Sequence, residues 1–192
     1  VFSGVSMGAF AACAFADLAP GCILIAYSPQ SSLNPEIVPW DRRYPQGSRQ
    51  DWTLPYSDAA GGIAQARRVW VISDPYFEMD RLHARRIAGA NVTHLPARHT
   101  NHFAMSSLRR AGILSAVTEG CVDLTMSPAR FAQLYRQMRE SRSYLEQLAK
   151  RVVAQSSEER KQQLHRIFQH RKRPWLAKMV ASSLALPQSR ST

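Results

Sequence analysis

Val1-Phe2-Ser3-Gly4-Val5-Ser6-Met7-Gly8-Ala9-Phe10-Ala11-Ala12-Cys13-Ala14, followed by Cys22-Ile23-Leu24-Ile25-Ala26-Tyr27-Ser28, is the stretch that decides the fold. Residues 1–3 form a β-like stub that runs into Gly4-x-Ser6-x-Gly8. A small-residue helix is expected over 9–18, closed by Pro20-Gly21. Both glycines are expected to be required, because a Cβ at either would clash in so tight a strand-to-helix turn. Ser6 at the apex is expected in a strained conformation, its hydroxyl above a sheet and at a helix amino terminus. The run over 22–28 is short, apolar and bounded by Gly and Pro, which reads as a strand buried in a parallel sheet.

Outward from there the alternation continues. A helix is expected from Ser57-Asp58 to about residue 67, a strand over 68–73 (RVWVIS), and a helix over 80–88. A weaker strand follows over 91–96, and then a helix over 102–111 ended by Gly112. Strand and helix alternate four times, which implies right-handed βαβ crossovers and a parallel α/β sheet. Between the second strand and the next helix lies a long segment, residues 29–57, dense in Pro, Ser, Asn, Trp and Tyr. So long a loop in a compact domain is usually functional.

Beyond residue 115 no strand pattern remains. Amphipathic helices are expected over 128–154 and 158–169, and the closing PQSRST is expected to be disordered. The charge follows the same division. Residues 1–114 carry a net +3 and residues 115–192 a net +8. The expected organisation is therefore an α/β body over 1–114 and a helical basic extension over 115–192. About 45% of the 192 residues are apolar, enough for a packed core.

Three cysteines, Cys13, Cys22 and Cys121, make no CxxC pair and no Cys/His cluster with ligand spacing. No metal site is expected, and Cys13 and Cys22 read as small buried hydrophobes. Unpaired thiols point to a reducing, cytoplasmic setting. No apolar run reaches the roughly 18 residues of a membrane span.

The candidate site follows from chain order. Ser6, Asp74 and His102 each leave the carboxyl end of an expected parallel strand, where catalytic groups gather in open α/β sheets. His102 is assigned the proton of Ser6, Asp74 the support of the imidazolium, and the Met7 backbone N–H the oxyanion. Asp80 is the alternative acid, with helix capping as its favoured role. His99 is the alternative histidine. His83 reads as a surface helix residue and His94 as a strand residue; His165 and His170 receive no catalytic role. In the long loop, Trp40, Arg42, Arg43 and Trp52, with Asp41 and Tyr44, combine aromatic faces with guanidinium groups and are candidate substrate contacts.

GVSMGAFAACAFA with CILIAYSPQ resembles the elbow, helix and next strand of the α/β-hydrolase superfamily. RVWVISDPYFEMDRLHA is similar to its acid loop, and HTNHF followed by LRRAGIL to its histidine loop and last helix. The likeness covers residues 1–114. It implies a three-layer parallel-sheet hydrolase-like fold in which the superfamily's strands before the elbow are missing, together with the loop that supplies a second oxyanion N–H. On this basis the chain is expected to be a fragment, poorly folded and weakly active in isolation.

The resemblance implies a serine hydrolase or acyltransferase. It would act on an ester, thioester or amide through an acyl-serine, with a small-molecule or glycan-linked acyl substrate and no cofactor. The competing expectation is an inactive hydrolase-like binding module for a glycan or protein partner. Residues 160–178, rich in Lys, Arg and His around Ile167, Phe168, Trp175 and Leu176, suit weak contact with an anionic surface. They carry no recognised nucleic-acid motif, so no nucleic-acid partner is expected.

Overall fold

The computed structural model describes residues 1–184; the expected disorder of PQSRST falls outside the described residues. The chain divides into two compact units, one of Val1–Met138 and one from Arg139 onward.

The first unit is built on a four-stranded, all-parallel sheet: β1 (Phe2–Val5), β2 (Ile23–Tyr27), β3 (Arg68–Ser73) and β4 (Val92–Pro96), paired in that order. Val5 stands beside Tyr27, Ala26 beside Val71 and Ile72 beside Leu95. This register sets the carboxyl ends of the strands along one edge. β2 and β3 are buried along almost their whole length. Covered on both faces, such strands read as continuous apolar runs rather than alternating ones.

Leu24, Ala26, Val69 and Val71 face one side and pack against α1 (Met7–Ala14), α3 (Ala59–Gly62) and α4 (Glu78–Arg86) through Ala9, Cys13, Ala59, Ala84 and Ile87. The other face takes α6 (Leu114–Val122) and α7 (Pro128–Tyr135). There Tyr27 Oη lies 2.9 Å from Thr118 Oγ1, and Trp70 Nε1 donates to the Cys121 carbonyl at 3.1 Å. Helices thus cover both faces of the sheet. Two short helices complete the unit's α-helices: α2 (Pro45–Ser48) in the long loop and α5 (Ala104–Arg110) after β4.

The strand–helix alternation ends near residue 114, as the sequence suggests, but the compact unit runs on to Met138. Val117, Cys121 and Phe131 are buried, and the Tyr135 hydroxyl donates to the Arg98 carbonyl at 2.6 Å. The helix expected to run from Asp58 to about residue 67 is only the four residues of α3. Asp58 does start it, its Oδ1 accepting from the Ala60 N–H at 3.0 Å. The turn packs so closely on α1 that a Cβ on Gly62 would lie 2.3 Å from the Cys13 carbonyl oxygen.

The second unit holds α8 (Arg142–Gln155), α9 (Glu158–His170) and α10 (Pro174–Leu184) around Leu145, Ala149, Phe168, Leu176, Ala177 and Val180. The single basic stretch expected over 160–178 is two helices, broken where Lys172 takes φ 53 and Pro174 starts α10. Phe168 and Leu176 are core residues, and Trp175 packs against that core under the Arg142 guanidinium, 4.8 Å from its ring. Of the four apolar residues proposed to face an anionic surface, only Ile167 is exposed, at 42%. Among the described residues, no helix is long and apolar enough to cross a membrane.

Candidate active site

Ser6 occupies the single residue between β1 and α1, at φ 53 and ψ −114. A non-glycine residue there carries strain of about 1–3 kcal/mol and persists only where its surroundings fix it. Two backbone bonds do so: the Ser6 N–H donates to the Tyr27 carbonyl at 3.0 Å, and the Ser6 carbonyl accepts from the Phe10 N–H at 3.0 Å. Gly4 lets β1 and α1 approach, since a Cβ on it would lie 2.3 Å from the Gly8 carbonyl carbon and oxygen. The same requirement does not hold at Gly8, where a Cβ would meet nothing within 4 Å. The turn needs one glycine, not two.

His102 sits in the loop between β4 and α5. That loop is shaped by positive φ at His99 (64) and Asn101 (49), and by the Thr100 hydroxyl donating to the Ala97 carbonyl at 2.7 Å. His102 Nε2 lies 2.9 Å from Ser6 Oγ, and Nδ1 lies 2.7 Å from Asp80 Oδ1. A carboxylate only accepts, so Nδ1 carries the proton and Nε2 is left to accept from the Ser6 hydroxyl. His102 keeps 20% side-chain exposure while Asp80 has none.

The acid in contact with His102 is therefore Asp80 and not Asp74. Asp74 is buried and used otherwise: its Oδ1 accepts from the Tyr76 N–H at 2.9 Å and its Oδ2 from the Asn101 N–H at 2.8 Å. It ties the loop after β3 to the loop that carries His102. Asp80 caps nothing, because α4 begins at Glu78 with Phe77 in the cap position. It lies in the first turn and points inward. His99 packs its ring against Tyr76, centroids 5.0 Å apart. Met7 is the first residue of α1, so its N–H has no acceptor within the helix.

A second Ser–His–Asp set lies behind the first. His83, expected on the surface, is fully buried; its Nε2 lies 2.8 Å from Asp41 Oδ2, and its Nδ1 is 3.0 Å from both the Ser31 N–H nitrogen and Ser31 Oγ. The Ser31 N–H must donate, so Nδ1 is the acceptor and the proton sits on Nε2, toward Asp41. Burial pushes His83 below the usual imidazole range, although the Asp41 contact works in the opposite direction. Burial also opposes ionisation of Asp41, but hydrogen bonds from Arg43 and His83 outweigh it and hold the carboxyl well below the usual range. Ser31 is fully buried, and its Oγ accepts from Arg86 Nη1 at 2.9 Å. No substrate can reach this set, and it serves as an anchor.

What it anchors is the long loop. Arg43 grips Asp41 with Nε at 2.9 Å and Nη2 at 2.8 Å, while Nη1 comes within 3.5 Å of Asp80 Oδ1. Tyr44 Oη lies 3.4 Å from His102 Nε2. The other expected substrate contacts are placed differently. Trp40 packs edge-on to His83 at 4.5 Å, and Trp52 donates to the Gly47 carbonyl at 3.0 Å and sits edge-on to Phe10. Arg42 is exposed. Beside the site a hollow of about 300 Å³ is walled by Val5, His102, Phe103, Met105, Arg109 and Leu114.

Comparison with known protein families, curated proteins and solved structures found no match to the chain. The site therefore stands on its own geometry. Asp80, the alternative acid of the sequence, is the carboxylate that meets His102, and Tyr44, expected only among the substrate contacts, is a neighbour of Nε2. For Asp80 a signal was present: Asp80, His83, Ala84 and Ile87 fall at i, i+3, i+4 and i+7 and are all buried, which is one helix face turned to the core.

Proposed function

We propose that the chain is a serine hydrolase or acyltransferase of α/β-hydrolase type, acting on an ester, thioester or amide through an acyl-Ser6 intermediate. The observation that carries this is the relay from Ser6 Oγ through His102 to Asp80, with contacts of 2.9 and 2.7 Å and a strained serine at its head. In such a relay the imidazole removes the serine proton during attack and returns it to the leaving group, while the carboxylate fixes the tautomer and supports the imidazolium. The Met7 N–H at the start of α1 is the donor assigned to the oxyanion. The apolar hollow beside His102 suits the acyl chain of a small-molecule or glycan-linked substrate.

The order serine, acid, histidine along the chain and the helices on both sheet faces support the hydrolase-type assignment. Against the competing reading, an inactive binding module, stands the 2.9 Å contact between Ser6 Oγ and His102 Nε2. The test is fluorophosphonate labelling of the whole chain beside Ser6→Ala. Covalent labelling that disappears in the variant is expected. A folded chain that stays unlabelled, or labels equally without Ser6, ends the serine assignment.

A further inference from the structure

We propose that Tyr44 is a catalytic residue of this site, its hydroxyl hydrogen-bonding the oxygen that leaves, or arrives at, the acyl carbon. The proposal rests on the acyl-serine mechanism above and adds a group that mechanism does not contain.

His102 Nε2 handles the proton twice, taking it from Ser6 Oγ and delivering it to the departing oxygen. To receive it, that oxygen must come within about 2.6–3.2 Å of Nε2. Ser6 Oγ already stands at 2.9 Å, and the neighbouring position around the same nitrogen is taken by Tyr44 Oη at 3.4 Å. An oxygen docked at Nε2 on that side is therefore within hydrogen-bonding reach of the phenol. Tyr44 is half-buried, and it is the hydroxyl, not the ring, that meets the reacting groups.

Its position is held from both sides. The preceding residue, Arg43, is clamped on Asp41, which His83 holds from within the core, and Arg43 also reaches the carboxylate that orients His102. The Arg43 guanidinium lies over the Tyr44 ring, 5.2 Å from its centroid. On the other side, the Tyr44 carbonyl accepts from the Ser48 N–H at 3.0 Å and opens α2. A surface tyrosine covering a loop needs none of this. The buried Ser31–His83–Asp41 set makes sense as the foundation that fixes residues 41–44 against the site.

In the acylation step the Ser6 Oγ–carbon bond forms and the bond from carbon to the leaving oxygen breaks. The serine proton passes through Nε2 to the departing oxygen. Tyr44 keeps its own proton and donates a hydrogen bond while negative charge builds on that oxygen. In deacylation it does the same for the incoming water or alcohol. Its contribution must grow with the basicity of the leaving oxygen, since a stabilised phenolate needs little help.

The experiment compares the intact chain and Tyr44→Phe on p-nitrophenyl, phenyl and p-methoxyphenyl acetate, with Ser6→Ala as the control. The kcat/KM for p-nitrophenyl acetate should change by about twofold or less. For p-methoxyphenyl acetate it should fall about tenfold, the scale of one hydrogen bond to a charging oxygen. The ratio between esters is taken within one variant, so a reduced folded fraction cancels. A loss of the same size on all three esters, or no loss on any while the parent chain shows Ser6-dependent turnover, overturns the role of Tyr44 alone. Absence of Ser6-dependent turnover in the parent chain overturns the acyl-serine mechanism and this proposal together.

Discussion

Replacing Asp80 and Asp74 separately by Asn separates the residue that acts on His102 from the one that merely shapes its loop. Asp80 Oδ1 is 2.7 Å from His102 Nδ1, which places the two charge centres about 4 Å apart once the imidazole is protonated. At an effective dielectric near 20, that attraction is about 4 kcal/mol, or roughly a thousandfold in rate if it is lost from the transition state. The Asp80→Asn side chain also admits the wrong tautomer. If its amide nitrogen faces Nδ1, the proton moves to Nε2 and Ser6 loses its acceptor; a tautomer error of this kind costs about ten thousandfold in a well-studied serine protease.

Asp74→Asn leaves that relay alone. It replaces one of two acceptors facing the Tyr76 and Asn101 amides with a donor, so one part-buried backbone N–H is left without that partner. The expected loss is about 1–3 kcal/mol of stability. The assay is the second-order rate of fluorophosphonate labelling on purified proteins well below their melting temperatures, with melting followed by circular dichroism. Asp80→Asn should label at least a thousandfold more slowly while melting within a few degrees of the parent. Asp74→Asn should melt lower and label within about tenfold. The reverse ranking, with Asp74→Asn the slower by two decades, would refute the assignment of Asp80.

Three further outcomes follow from the same geometry. Gly4→Ala should prevent a native fold, because its Cβ meets backbone atoms at 2.3 Å that cannot move aside. Gly8→Ala should be tolerated and raise stability by up to about 1 kcal/mol; chemical denaturation of both variants checks the contrast. Because burial depresses His83, the unfolded state binds the extra proton first. Stability should therefore be full above about pH 6.5 and decline as pH falls below it, with a further decline below about pH 4, where the unfolded chain takes up a proton at Asp41 that the folded one still refuses. Melting temperature against pH for the parent and His83→Gln tests this, and an unchanged slope near pH 6 in the variant would contradict it. Burial raises the Cys13 and Cys121 thiols to about 12, so iodoacetamide at pH 8 should modify neither in the native protein, whereas Cys22, also raised by burial but only half-buried, should react slowly. Mass mapping of the alkylated peptides decides it.

The parallel sheet and the elbow were legible because each has a local cause. Ile23–Tyr27 and the run from Val69 to Ile72 declare doubly buried strands by being apolar throughout, and Gly4 declares the turn by being unable to carry a Cβ. Gly8 shows the weakness of the same inference: a motif lists two glycines, while the steric reason applies to one. The acid was misplaced because both candidates follow β3 within seven residues, and only the path of the chain separates them. Asp74 looked right because it leaves the strand directly. Asp80 reaches His102 because α4 starts at Glu78 and turns its 80–83–84–87 face inward.

The charged residues of the long loop were the least legible, and for a physical reason. Asp41, Arg43 and His83 are ordinary surface residues by type; Asp41 and His83 are buried and Arg43 half-buried because they pair with one another. Burying any one of them alone would leave an unpaired polar group at a cost of several kcal/mol. Such a set has no periodicity along the chain, since its members come from two segments some 40 residues apart. Once formed it is rigid, because every member is held by at least two bonds. Rigidity of that kind is what a loop needs if it is to set one hydroxyl, that of Tyr44, beside His102 Nε2. The clustering of buried charge under an otherwise irregular segment is thus itself the sign that the segment has a fixed geometry to keep.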